Sequence, residues 1–382
     1  MASKMVPVVS VNRDRVSVTV LTPIHLDKNH WKTTEWTGEL LSQLNIKVDQ
    51  ATYEPHDLFT SGYVKTFLKQ KQDKKISGFI GRISRNENER VYRNQCIIRA
   101  LAEVICIDCV SVDEIPAFKM IKIESGLQQL EQKENHEKLL LLGSKHDGSI
   151  NLDYTCNSLQ IWLSQFVQQL SLMVRKRKKG TPEEITEGMY QELFLRFIKM
   201  FEIQIIEKSN MHPFIIPIGQ NRIAATPDAV VQSLSCKDLE NDNSIAVIKV
   251  DKDSRTEREG EEEGEMGSRP KKLKTDPVTS APLCQLIGDM MAVLPSSVLG
   301  SWGIYGFLVQ GTKVTVVSLV TDEGYMENLN QGYVAVGCEA TVKCSKECNI
   351  LTTEGRRDLI QTLQDMTDLL QYLCDKRNQD SP

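Results

Sequence analysis

Short apolar runs interrupted by turn residues dominate the middle of the chain and limit the folds it can adopt. The runs "PFIIPI", "DAVVQSL" and "IAVIKV" have the length of strands. Further on, "GIYGFLVQGTKVTVVSLV" (303–320) contains two apolar runs joined at 310–312, which is typical of a β-hairpin. An apolar stripe at helical spacing precedes them all, formed by Met189, Leu193, Phe197 and Met200. This order predicts an α/β protein.

Helix and strand patterns continue on both sides of this region. Residues 15–21 alternate valine with polar neighbours, which predicts a strand, and 94–107 predict a buried helix running into a strand. The helix that carries the stripe of Met189 to Met200 is predicted to have Thr181 as its N-cap. Two further helices are predicted from apolar stripes, one formed by Leu159, Trp162, Leu163, Phe166, Val167 and Leu170 and one by Leu359, Leu363, Met366, Leu370 and Leu373.

One long segment lacks large apolar residues. Residues 251–282 contain a Glu-rich run and can bury too little surface to offset the entropy of ordering, so they are predicted to be a disordered insertion. We therefore divide the chain into an N-terminal α/β region of unknown role (1–153), a core that carries the insertion (154–350) and a C-terminal amphipathic helix (351–382).

The charge balance excludes a strongly basic protein. The formal net charge is -5 and the sequence pI is about 5.8, so nucleic acid would have to be bound by local basic patches. Two short clusters are candidates for such contacts or for nuclear import. They are Arg175, Lys176, Arg177, Lys178 and Lys179, and Lys271, Lys272 and Lys274. The alternatives are a solvated helix end for the first cluster and a charge-balanced loop for the second.

The lengths of the apolar runs bear on the cellular compartment and on the oxidation state of the cysteines. No apolar run is long enough for a signal-peptide core or a membrane span, so we expect an intracellular protein without membrane contact, in the nucleus or otherwise in the cytoplasm. The ten cysteines are then expected to be reduced. Cys106 and Cys109, and Cys338, Cys344 and Cys348, have spacings that invite a zinc site, but structural thiols are the favoured interpretation.

The order of elements and motifs resembles a known superfamily. A helix and a strand are followed by Pro227-Asp228, then by a strand ending in Val247-Ile248-Lys249, a helix with "QLIGDMMA" (285–292) and the hairpin. This order is similar to the PD-(D/E)XK nuclease superfamily, and most to the degenerate nuclease domains of Crinkler-type eukaryotic proteins. The resemblance covers roughly 180–320. It implies a restriction-endonuclease-like mixed central sheet flanked by helices.

The resemblance also implies a site. Asp228 would be the first metal-binding aspartate, Lys249 the lysine, Gln285 the polar residue of the following helix, and Glu192 the acid of the preceding helix. In such a site Mg²⁺ polarises a phosphoryl oxygen and activates water, while the lysine stabilises the developing charge.

Val247 departs from the pattern because it stands where the second acid is expected. Two residues could replace that acid. Asp251 shares the strand face of Lys249 if the strand extends that far, and Asp289 lies one helical turn after Gln285. Without a replacement no cofactor is expected.

Three functions follow from these residues. The favoured hypothesis is a nuclear nuclease-like protein with a degenerate site, which binds DNA, RNA or a protein partner and cleaves weakly or not at all. The second is an active Mg²⁺-dependent DNA endonuclease with a migrated acid. The third is an interaction scaffold without a nucleic-acid role, whose C-terminal helix docks a protein partner. Singly, Pro227-Asp228 could be a simple turn and Lys249 a solvated lysine. The first two hypotheses therefore require Asp228 and Lys249 to be neighbours on one sheet.

Overall fold

The fold is known from a computed structural model. It describes residues 6–12, 15–26, 32–58, 107–116, 119–120, 123, 152–178, 185–201, 203–232, 244–251, 280–300 and 303–380. Of the segments predicted from sequence, residues 94–106 and 252–279 lie outside the described residues.

The strands of the described part are numbered in chain order. They are β1 (Val6–Asn12), β2 (Arg15–Pro23), β3 (Ile46–Tyr53), β4 (Gln204–Glu207), β5 (Phe214–Ile218), β6 (Asn221–Ala225), β7 (Ala229–Gln232), β8 (Ser244–Asp251), β9 (Gly303–Gln310), β10 (Lys313–Thr321), β11 (Tyr333–Ala335) and β12 (Ala340–Asn349).

The α-helices are numbered in the same way. They are α1 (Gly38–Gln43), α2 (Pro55–Asp57), α3 (Leu152–Lys178), α4 (Glu187–Lys199), α5 (Ala281–Val293), α6 (Tyr325–Asn330) and α7 (Thr353–Asp380). Short 3₁₀ turns lie at Thr33–Glu35, Val112–Glu114, Lys208–Asn210 and Leu294–Ser296.

A seven-stranded mixed sheet organises these elements. Its strand order is β3-β12-β10-β9-β8-β7-β4. The β8–β9 and β12–β3 pairs are parallel, and the other pairs are antiparallel. Because α5 lies between β8 and β9 in the chain, it is the crossover that a parallel pair of strands requires. β5 and β6 form a separate hairpin, and β1, β2 and β11 form a small third sheet.

Helices cover both faces of the large sheet. On one face α3, α4 and α7 join a core cluster with Ala246, Ile248 and Val250 of β8. On the other face α1, α5 and α6 join a second cluster with Val247. These alternating positions of β8 reach opposite clusters because successive side chains of a strand point to opposite faces. The predicted mixed sheet flanked by helices is therefore confirmed at this level.

Residues before the predicted domain boundary contribute to the same core. β3 pairs in parallel with β12 at the edge of the large sheet, and Trp36 is buried in the second core cluster. Ile107, Val112 and Ile115 belong to the first cluster. The boundary predicted at residue 153 falls inside α3.

Several predicted elements are present in the described residues. The hairpin at 303–320 is confirmed as β9 and β10, and Gly311 in its turn has the positive φ of 63° that such a turn requires. The strand at 15–21 and the helices at 157–174 and 353–380 are also confirmed. The N-cap prediction is wrong, because α4 begins at Glu187 with Thr186 as its N-cap, and Thr181 lies outside the described residues.

The first half of α7 packs within the chain itself. Leu359, Leu363, Met366 and Leu369 are buried in the first core cluster. Arg356, also buried, donates to the carbonyls of Ile350 and Ile107. No helix among the described residues is both long and apolar enough to span a membrane.

Candidate functional site around Asp228 and Lys249

Asp228 and Lys249 lie side by side in the structure. Asp228 immediately precedes β7 and Lys249 lies near the end of β8, and these two strands are antiparallel neighbours, with Ala229 opposite Ile248. The Lys249 Nζ lies 3.0 Å from the Asp228 Oδ2. The side chains are 12% and 8% exposed, so this ion pair is largely shielded from solvent. The adjacency that both nuclease-like hypotheses require is therefore present.

Asp228 has further partners besides Lys249. The Val250 backbone N–H donates to the same Oδ2 at 2.8 Å, and the Lys208 Nζ lies 3.9 Å from Oδ1. The Asp228 carbonyl accepts from the Lys208 N–H at 3.0 Å and from the Gln191 Nε2 at 3.3 Å. Lys249 and Lys208 thus balance the charge of this carboxylate, and the Val250 N–H donates a further hydrogen bond to it.

Val247 belongs to the apolar core under α5. It is fully buried and pairs laterally with Val230 of β7 and Gly306 of β9. A Cβ on Gly306 would come within 2.7 Å of the Met290 Sδ of α5, which shows how closely α5 approaches the sheet beside Val247. An acid at position 247 would enter this apolar layer, and burying its charge there is costly. Packing therefore accounts for the valine.

Asp289 is the acid that α5 places against this part of the sheet. It is fully buried, and its Oδ1 accepts a 2.5 Å hydrogen bond from the Thr33 hydroxyl. Burial raises the pKa of Asp289 to about 7. The Thr33 hydrogen bond and the Lys249 charge lower this pKa by smaller amounts, and the Asp228 charge raises it. Asp289 therefore lies within electrostatic reach of the Asp228–Lys249 pair. Gln285, one turn earlier, is half-buried.

The acid that α4 directs towards Asp228 is Glu187. Gln191 contacts the Asp228 carbonyl, and Glu187 lies one turn before it on the same helical face. Partial burial of its carboxyl raises the pKa of Glu187, the Lys249 charge lowers it, and the Asp228 and Asp251 charges raise it.

Glu192, predicted from the resemblance, lies on another face of α4. Its carboxylate pairs with Arg196 at 3.1 Å, and it is 46% exposed. The resemblance implies an acid on this helix but does not fix the face that carries it. A start at Thr186, with an acid in the first turn, is the signal that would have identified Glu187.

The bounds predicted for the insertion, 251–282, are wrong at both ends, because Asp251 ends β8 and Ala281 begins α5. β8 extends to Asp251, so Asp251 shares the strand face of Lys249 and Val247. Its side chain is half-buried, and its carbonyl accepts from the Gly311 N–H in the β9–β10 turn. Its charge raises the pKa of Glu187.

These acids do not fit Mg²⁺ as they are arranged. Among the described residues, no three carboxylate, histidine or cysteine side chains come together as a group that could hold a metal ion. Mg²⁺ needs anionic oxygens free to coordinate it. Asp228 instead neutralises Lys249, and Asp289 is buried and accepts a hydrogen bond from Thr33.

Part of the basic and cysteine candidates falls in the described residues. Arg175, Lys176 and Arg177 occupy the last turn of α3, where Arg177 pairs with Asp113 at 3.0 Å. Lys178 ends that helix, and Lys179, Lys271, Lys272 and Lys274 lie outside the described residues. Among the described cysteines, Cys109, Cys284, Cys338, Cys344 and Cys348 form no disulfide.

No family model matches this chain, and no curated protein or solved structure is significantly similar to it.

Proposed function

We propose that this chain is a nuclease-like protein with a degenerate PD-(D/E)XK site, which binds nucleic acid or a protein partner through the retained scaffold. The observation that carries the proposal is the state of Asp228. Its carboxylate is used by Lys249 and the Val250 N–H, while the position of the missing second acid, Val247, lies in the apolar core. The support from topology is the order α4, β4, β7, β8, α5, β9, with β8 and β9 parallel.

Weak or absent cleavage of nucleic acid follows from the ion pair between Asp228 and Lys249. Phosphodiester hydrolysis at such a site depends on a cation that activates water and stabilises the phosphoryl oxygens. Where Asp228 serves as the counter-ion of Lys249, neither residue is free for its catalytic role. A lysine that is already neutralised stabilises developing negative charge poorly.

Nucleic acid, if it is the partner, is expected to contact another surface. Lys208 and Lys249 face the carboxylates of Asp228, Glu187 and Asp251, so the site offers no net positive charge to a phosphate backbone. The basic end of α3, with Arg175 and Lys176, is the better candidate in the described residues. The nuclear location predicted from the basic clusters is retained as part of this proposal.

The alternative is an active endonuclease that uses a migrated acid. It is favoured by Asp289 and Glu187, whose carboxyl groups both respond to the charges of Lys249 and Asp228. In this case Mg²⁺ would have to displace Lys249 from Asp228 and recruit one of these acids.

Cleavage of plasmid and single-stranded substrates with Mg²⁺ or Mn²⁺ tests the proposal. We expect no difference between the wild type and Asp228→Ala. Cation-dependent cutting by the wild type that is lost in Asp228→Ala would establish the alternative.

Binding titrations across salt concentrations separate the two kinds of partner. Phosphate contacts give an affinity that falls steeply as salt rises. An affinity for DNA or RNA that follows this slope supports the nucleic-acid role, whereas no binding to either supports a protein partner.

A further inference from the structure

The basic end of α3 consists of Arg175, Lys176 and Arg177 in the last turn of the helix. Arg175 and Arg177 are exposed, and Lys176 between them is half-buried. Leu172 lies one turn earlier on the side of Arg175 and Lys176, and it is 47% exposed. The helix therefore ends in a surface that combines positive charge with exposed apolar area.

An acidic turn lies against this basic end. The 3₁₀ turn Val112–Glu114 packs on α3 through Val112, which is buried in the first core cluster together with Val174. The Asp113 Oδ1 lies 3.0 Å from the Arg177 Nε. The two side chains are 55% and 44% exposed, and an ion pair exposed to this extent contributes little to stability. Arg177 can therefore exchange Asp113 for another anion at small cost.

The Asp113 carboxylate marks a position at which an anion binds Arg177. Carboxylate and phosphate oxygens accept hydrogen bonds from a guanidinium in the same paired geometry. A nucleic-acid backbone presents a row of phosphates, so it can contact Arg175 and Lys176 as well as Arg177. The exposed Leu172 side chain adds apolar contact area beside them for a sugar or a base.

We infer that the basic end of α3 binds a nucleic-acid phosphate backbone and that Asp113 is its internal competitor, which occupies Arg177 until a phosphate replaces it. This inference rests on the proposed function, because it names nucleic acid as the partner of the nuclease-like chain. Competition by Asp113 weakens the binding of a single phosphate most, since only a polyanion gains the contacts with Arg175 and Lys176 in the same event.

The test is fluorescence anisotropy of a labelled single-stranded oligonucleotide and of its duplex, titrated with the full chain at several salt concentrations. We expect Arg175→Gln with Arg177→Gln to weaken binding roughly tenfold. The slope of log affinity against log salt should fall by about 2, because each lost phosphate contact removes about 1. As matched control we use Arg222→Gln. Arg222 is an exposed arginine of β6, whose hairpin packs on the other face of the large sheet.

Asp113→Asn should change the affinity in the opposite direction, which misfolding cannot imitate. We expect binding to tighten roughly three- to fivefold, because the competing exposed ion pair is lost. Most of this gain should disappear when Arg177→Gln is already present. Glu39→Gln, which removes an exposed acid of α1 on the other face of the sheet, controls for net charge and should leave the affinity nearly unchanged.

Three results would overturn the inference. They are the absence of salt-dependent binding by the wild type, equal affinities of the double arginine variant and Arg222→Gln, and an Asp113→Asn gain that persists in full with Arg177→Gln. Tighter binding of a labelled Glu-rich peptide than of either oligonucleotide would assign the surface to an acidic peptide instead, and would overturn it too.

Each of these results leaves the proposed function standing, with a protein partner or another nucleic-acid surface. Asp228-dependent cleavage by the wild type would contradict the proposed function and would leave the assignment of the basic end untouched.

Discussion

Lys249 and Asp228 form an ion pair across two antiparallel strands, with 3.0 Å between the Lys249 Nζ and the Asp228 Oδ2. The residues are 21 positions apart in the chain and are brought together by the pairing of β7 with β8. Both side chains are largely buried, so each depends on the other for neutralisation. The stability of the protein should therefore depend on both residues together.

We expect Lys249→Met and Asp228→Ala each to lower the free energy of unfolding by about 3 kcal/mol, because each leaves one buried charge without its partner. The double variant should lose less than the sum of the two. Urea denaturation of all four proteins gives the coupling energy. Lys208→Met is the control, because Lys208 is 58% exposed at 3.9 Å from Asp228 and should cost no more than about 1 kcal/mol. Additive losses would contradict the pairing.

Val247→Glu tests why the second acid is missing. The new carboxylate would lie in the apolar layer between β8 and α5, so we expect a loss of more than about 3 kcal/mol and no gain of metal binding. Val247→Ala, which only leaves a cavity, should cost about 2 kcal/mol. A Val247→Glu protein with wild-type stability that binds Mg²⁺ would show that the position tolerates the acid.

Asp289 predicts a specific pH dependence of stability. Its pKa is about 7 in the folded protein against 3.8 ordinarily, so between these values the folded state binds more protons than the unfolded state. The contribution of Asp289 to stability is therefore fully present below about pH 4 and is lost as the pH rises to about 7. The loss amounts to roughly 4 kcal/mol at most.

Asp289→Asn should abolish this dependence. Denaturation at pH 4 and pH 7.5 should show similar stabilities at the lower pH and a more stable Asn variant at the higher pH. Glu39→Gln, which changes an exposed acid, controls for the change in net charge. Parallel curves for the wild type and Asp289→Asn would mean that Asp289 is not a buried titrating group.

The backbones of Gly332 and Gly219 lie too close together for a side chain on Gly332. Gly332 has φ 85°, and a Cβ on it would lie 3.0 Å from the Gly219 Cα. Gly332→Ala should therefore cost both the left-handed conformation and a clash between two backbones, about 3 kcal/mol in all. Gly324→Ala is the matched control, because its φ is 80° and nothing lies within 4 Å of the added Cβ. Thermal unfolding should separate the two, and equal losses would contradict the close approach.

Several helices and strands could be predicted from the sequence because apolar residues recur at the spacing of these elements. The β9–β10 hairpin and the apolar stripe of α7 follow from short patterns, whereas the pairing of Asp228 with Lys249 is an expectation from the resemblance to the PD-(D/E)XK superfamily. The start of α4 could not be fixed in this way. Thr181 and Thr186 both precede the same apolar stripe, so the pattern does not choose between them. Glu187 and Glu192 lie on different faces of the helix because they are five residues apart.

The long-range contacts could not be predicted. The Thr33–Asp289 hydrogen bond joins residues 256 positions apart, and β3 pairs in parallel with β12 from the opposite end of the chain. The spacing of apolar residues does not predict such contacts, because they depend on how distant segments pack together. For the same reason Val247 could be noticed as a departure from the motif, whereas its burial beneath α5 could not.

Calorimetric titration of Mg²⁺ into the wild type and Asp228→Asn tests most directly whether Asp228 is a counter-ion or a metal ligand. We expect no saturable binding that distinguishes the two proteins, because Lys249 already neutralises the carboxylate and the Val250 N–H donates to it. Saturable binding to the wild type that disappears in Asp228→Asn would contradict it.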